Sequence, residues 1–156
     1  MIKEEISVTE LYNRYSNDVF NYSLSLLKNY DDAKDALQEV FVKFINNQKS
    51  FRGECSHKTF LLTITRNHCF DRLNDKSKRP SRINDSTIKL YDPSFEDNIS
   101  LYEAISKLTP EEFEIIYLRE YACHSYKEMA EILGITIDNV KSKLFRVRER
   151  LRKYMK

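Results

Sequence analysis

Ser125-Tyr126-Lys127-Glu128-Met129-Ala130-Glu131-Ile132-Leu133-Gly134-Ile135-Thr136-Ile137-Asp138-Asn139-Val140-Lys141-Ser142-Lys143-Leu144-Phe145-Arg146 is the stretch that decides the fold. Ser125 and Glu128 form a capping box, in which the hydroxyl accepts from the backbone N–H near Glu128 and the carboxylate reaches back to the cap. The helix they open runs to about Leu133. Gly134 stands where a tight turn between helices needs positive φ, and Thr136 offers the N-cap for a second helix. The grammar is that of a helix-turn-helix.

On the second helix Ile137, Val140, Leu144, Val147 and Leu151 recur at steps of three and four, which makes one apolar stripe at about 100° per residue. The remaining faces are cationic. Lys141, Lys143, Arg146, Arg148, Arg150, Arg152, Lys153 and Lys156 stand against Glu149 alone, a charge density suited to phosphates. Phe145 lies off the stripe beside Lys141, Ser142 and Arg146, where an exposed aromatic could pack on a sugar or a thymine methyl. A solvated basic tail with Phe145 tucked under a neighbour is the plainer alternative.

Outward from this stretch, the chain reads as helix throughout. It has 156 residues, 41% of them hydrophobic, with two glycines and three prolines. No hairpin dipeptide or sustained alternation argues for strands. The net charge of +2 conceals an uneven distribution, because residues 1–76 carry eleven basic and eleven acidic side chains and the cationic excess collects at the C-terminus. Neither a secretory leader nor an apolar run of membrane-spanning length is present, so a cytoplasmic location is expected. Three cysteines, Cys55, Cys69 and Cys123, give no disulfide framework.

The N-terminal block begins with an amphipathic helix from about Val8 to Lys28. A second helix, capped by Asp31 or Asp32, runs to about Asn46 with Ala33, Leu37, Val40, Phe41 and Phe44 inward. Its outer face places Val42 among Asp35, Gln38, Glu39 and Asn46. Phe51-Arg52-Gly53-Glu54-Cys55-Ser56-His57 is a polar loop, and a third helix follows from about Lys58 to Lys76, apolar nearly all round through Phe60, Leu61, Leu62 and Ile64. Periodicity then fails over 77–98, where prolines, serines and asparagines read as a linker. It resumes at Ile99, and Thr109-Pro110-Glu111-Glu112 is a strong helix start whose helix buries Phe113, Ile116 and Tyr117 and ends near Tyr121.

The expected fold class is therefore all-α, with two small helical domains at 1–76 and 99–156 joined by a flexible linker at 77–98. Two such blocks, with the second ending in a basic helix-turn-helix, resemble the extracytoplasmic-function sigma factors of bacterial RNA polymerase, in the sigma-70 superfamily. The resemblance rests on Asp32-Ala33-Lys34-Asp35-Ala36-Leu37-Gln38-Glu39-Val40-Phe41, on Phe51-Arg52-Gly53-Glu54, on Arg66-Asn67 with Asp71, and on Leu108 to Glu112 leading into the stretch quoted above.

The resemblance implies a promoter-specificity subunit that docks on core polymerase and assists promoter melting. Asp35, Gln38, Glu39 and Val42 match the family's polymerase-docking face. Phe51, Arg52, Gly53, Glu54, Cys55, Ser56 and His57, with Asn67, match the site that captures a base flipped from the minus-ten element, where stacking and edge hydrogen bonds read an unstacked base. Lys141, Ser142, Lys143, Phe145 and Arg146 match the helix that enters the major groove of the minus-thirty-five element. Core polymerase, promoter DNA and an anti-sigma protein are the implied partners, since no further C-terminal domain offers a sensor.

Three departures stand out. Cys123 occupies a position that is usually glycine, so a left-handed turn there would cost roughly 1 kcal/mol unless the turn is built differently. Phe60 replaces a common tryptophan, and Cys55 and His57 alter the captured-base loop.

Other classes fare less well. Cys55-x-His57 and His68-Cys69 match no standard zinc spacing, and adjacent helical residues point about 100° apart. No catalytic residue, metal ligand or cofactor motif is evident. A helix-turn-helix regulator acting without polymerase is the closer rival, but it would need a dimer interface or ligand pocket in the N-terminal block.

Overall fold

The computed structural model describes residues 7–51, 53, 55–75 and 99–155, with the side chains of 50, 99, 100 and 102 left out. The 77–98 linker, Arg52 and Glu54 lie outside the described residues. The chain divides into two compact units, Met1–Pro80 and Ser81–Lys156, and every regular element among the described residues is helical.

The first unit packs α1 (Val8–Leu27), α2 (Tyr30–Asn46) and α3 (His57–Asn74) against one another, with a short 3-10 turn at Gln48–Ser50. Each helix starts where a side-chain oxygen can accept from its first turn: Ser7 from the Glu10 N–H, Asn29 from the Asp32 N–H, and Ser56 from the Thr59 N–H. Asn29, not Asp31 or Asp32, caps α2, and the two acids fall in the first turn, where they complement the helix dipole. Val19, Tyr22, Ala33, Val40 and Leu61 are at most 1% exposed and form the centre of this unit. Leu37 is only half-buried, and Ala36 takes the inward position. On α3, Leu61 and Leu62 are buried while Phe60 and Ile64 keep partial exposure.

The second unit comprises α4 (Ile99–Ser106), α5 (Pro110–Ile116), α6 (Tyr126–Leu133) and α7 (Ile137–Tyr154). Thr109 and Glu112 form the capping box expected of them, with Pro110 opening the helix. The helix does not run on as α. It continues as a π turn over Tyr117–Tyr121, where the change of register alters which residues face inward. Ile115 and Leu118 are buried beside Phe113 and Tyr117, and Ile116, expected in the core, is half-exposed.

Candidate polymerase and nucleic-acid interfaces

The helix-turn-helix is held by local geometry at four points. The Ser125 Oγ accepts from the Glu128 N–H at 3.1 Å, and Glu128 Oε1 accepts from the Ser125 N–H at 3.2 Å. Burial alone would push the Glu128 carboxyl up, but the Ser125 hydrogen bonds and the neighbouring His124 outweigh it and hold the group below its ordinary value. Gly134 closes α6 at φ 69° with its N–H on the Ala130 carbonyl, and Thr136 Oγ1 caps α7 by accepting from the Asn139 N–H. Cys123 adopts φ 59°, so the turn is left-handed despite its side chain.

With these ends fixed, α7 turns Val140, Leu144 and Val147 inward, at 0%, 1% and 5% exposure. Ile137 is 41% exposed, so the stripe is narrower at its start than its sequence suggests. Lys141, Ser142, Lys143 and Arg146 are exposed, and Phe145 projects at 65%. All five expected minus-thirty-five residues are thus exposed, spread over about 200° of the helix outside the buried stripe. The Lys141 ammonium sits 5.6 Å from the centre of the Tyr126 ring, whose vicinity also receives the Arg119 guanidinium at 4.2 Å.

Three arginines further along the run are employed differently. Arg148 pairs with Glu120, Arg150 with Glu112 at 2.7 Å, and Arg152 with Glu149. Two of these pairs tie α7 to the segment before the helix-turn-helix. Lys141, Lys143 and Arg146 have no carboxylate partner among the described residues.

In the first unit the 51–57 segment is shorter as a loop than its sequence implies. Ser56 is the N-cap of α3 and His57 its first residue, with Ser56 Oγ donating to Thr59 Oγ1 at 3.0 Å. Phe51 lies 4.6 Å from the His57 ring and 5.1 Å from Phe60, which in turn meets Phe44 at 5.9 Å. In the same segment Gly53 adopts a φ of 75°, which favours glycine, and Cys55 is half-buried. Asn67 is exposed on α3, but ten residues beyond His57 it stands about 15 Å further along the axis. The structure thus brings Phe51 and His57 together and sets Asn67 apart.

Asp35, Gln38, Glu39 and Val42 share the outer side of α2, all exposed, with Val42 at 55%. Ile45, unremarked in the sequence, extends this patch at 49% exposure, and its spacing of three from Val42 could have indicated it. Behind Glu39, His68 of α3 faces the carboxylate at 3.2 Å. No helix among the described residues is long and apolar enough to cross a membrane.

Comparison with known proteins bears on both units. The model of sigma-70 region 2 matches residues 11–79, and that of sigma-70, region 4 matches residues 98–151. RNA polymerase sigma factor YlaC of Bacillus subtilis is 31% identical over 99% of this chain and 95% of its own. ECF RNA polymerase sigma factor SigM of the same organism is 30% identical, covering 94% of each chain. Among solved structures, the sigma factor RpoE in complex with the anti-sigma factor NepR from Bartonella quintana superposes with a TM-score of 0.70 at 21% identity, covering 94% of this chain and 95% of that one. That last likeness carries the fold. Near-complete coverage by sigma factors, with regions 2 and 4 falling on separate helical units in the order the family requires, shows that this chain belongs to the extracytoplasmic-function sigma factors of bacterial RNA polymerase.

Proposed function

We propose a division of labour in which three surfaces serve promoter initiation separately. Residues 1–76 dock on core polymerase through Asp35, Gln38, Glu39 and Val42 and trap a minus-ten base with the 51–57 segment, while Asn67, further along α3, meets the same strand away from that base. Residues 77–98 act as the linker, and 99–156 read the minus-thirty-five element as duplex through Lys141, Ser142, Lys143, Phe145 and Arg146. The observation that carries this reading is the split character of α7, which buries Val140, Leu144 and Val147 and leaves those five exposed around the rest of the helix. Cations there suit phosphates or guanine edges, while Ser142 and Phe145 supply contacts of shorter range.

Within the captured-base segment, Phe51 and His57 offer stacking surfaces, while the Ser56 hydroxyl is engaged as a helix cap. The protein contributes binding and positioning with no catalytic group, metal or cofactor of its own, and acts in the cytoplasm, where polymerase and promoter meet. An anti-sigma protein covering the docking face would supply control.

The test is a pair of charge reversals in the full-length protein. Arg146→Glu is expected to abolish promoter selection with core affinity intact, and Glu39→Lys to do the reverse. Simultaneous loss of both activities in Arg146→Glu would contradict separate surfaces.

A further inference from the structure

The α2 docking patch has a support on α3 that its own residues do not provide. His68 is nearly enclosed, its side chain 8% exposed, while the Glu39 carboxylate beside it is 57% exposed. Its Nδ1 lies 2.9 Å from Lys43 Nζ. An ammonium has only donors, so Nδ1 accepts and the ring proton resides on Nε2, which approaches Glu39 Oε2 to 3.2 Å, an electrostatic contact without hydrogen-bond alignment. One neutral ring from α3 therefore touches two oppositely charged side chains one turn apart on α2.

Beside them a cleft of about 490 Å³ opens between α2 and α3, lined by Glu39, Lys43, His68, Asp71, Arg72 and Asp75. Without the ring, Glu39 has this space, bulk solvent and the cations Lys43 and Arg72 to choose among, with Asp71 and Asp75 repelling it from part of the cleft, so no single position is favoured. The ring lies against the carboxylate at the edge of the patch, and a preformed contact saves part of the ordering cost at the moment of binding.

We infer that His68 is a positioning residue for polymerase docking: bridging Lys43 and Glu39 in its Nε2-protonated form, it presents the Glu39 carboxylate to the partner in a fixed orientation. This rests on the reading of Glu39 as a docking residue, and the test separates the two.

Affinity of the full-length protein for core polymerase is measured for His68→Leu, His68→Gln, Glu39→Gln and His68→Leu combined with Glu39→Gln, with helix content and melting followed in parallel. His68→Leu is expected to bind about fivefold more weakly, the scale of one close contact with a charged group, with its fold retained. His68→Gln, whose amide can still donate to Glu39, should recover most of the loss. In the Glu39→Gln background, His68→Leu should add less than about twofold, because the two act through one contact. Wild-type affinity in His68→Leu, or a full further loss in that background, overturns the inference while leaving docking by Glu39 intact. Undiminished affinity in Glu39→Lys would instead remove the docking assignment and this inference with it. Nitrogen-15 shifts of the wild-type His68 ring decide the point without any variant, since a proton on Nδ1 is incompatible with the bridge.

Discussion

Removing a single cation from α7 should have opposite consequences according to its partner in the structure. Lys143 is exposed with no carboxylate partner among the described residues, whereas Arg150 is held by Glu112 at 2.7 Å and donates to the Tyr154 hydroxyl. A free cation placed against a phosphate releases a counterion, and each such contact adds about 0.9 to the slope of log affinity against log salt. Lys143→Ala should therefore flatten the slope by about that amount, so that the variant loses about 3.5-fold less affinity than wild type between 50 and 200 mM salt. Arg150→Ala should leave the slope unchanged and lower only the melting temperature of the second unit, because its charge is already neutralised within the fold. The assay is fluorescence anisotropy of holoenzyme on a promoter duplex over a salt series. If Arg150→Ala flattened the slope as much as Lys143→Ala, the partition between open and internally paired cations would be refuted.

Two further outcomes concern the turns around α6. Gly134 sits at φ 69° with open space where a Cβ would be, so Gly134→Ala carries backbone strain and no clash. Left-handed strain of about 1–2 kcal/mol, less the unfolded-state entropy gain of about 0.4–1 kcal/mol, leaves a loss near 1 kcal/mol by denaturant titration. Cys123→Gly, at φ 59°, should gain a similar or smaller amount. For Glu128 the native carboxyl titrates below its ordinary value, so its contribution to stability is complete above the ordinary carboxylate range and is lost as pH falls through that range to the native value. Glu128→Gln keeps the box but should flatten the acid limb of the stability profile, and an unchanged limb would remove Glu128 as its source.

What could be read from the sequence were features carried by neighbouring residues. Thr109 with Glu112, Ser125 with Glu128, and Thr136 each combine a cap and its receiver within one turn, and all three form as expected. The left-handed turn at Cys123 was one of two options, and the φ of 59° selects it. Asn29, Asp31 and Asp32 are all good caps, so composition could not choose among them, and the chain reversal after Lys28 decides for Asn29. The π turn at Tyr117–Tyr121 breaks the helical period from Tyr117 onward, where Leu118 is buried. Within α5, Ile115 and not Ile116 faces the core, which the choice of Phe113, Ile116 and Tyr117 as one stripe does not show. Pairs such as Arg148 with Glu120, or His68 with Lys43 and Glu39, join residues more than twenty positions apart. Nothing local in the chain announces them. In the candidate sites the exposed five of α7 and the exposed four of α2 were legible because stripe and counter-stripe follow one helical period. The 51–57 segment was less so, since Ser56 and His57 had to be divided between loop and helix by a cap that only packing confirms.

The central claim is that this protein tells core polymerase where to begin. Mapping transcript 5′ ends made by core polymerase on genomic DNA, with and without the protein, tests it most directly. The account predicts new start sites that share two spaced upstream elements, absent without the protein and absent with Arg146→Glu. Identical start sites in all three reactions would contradict it.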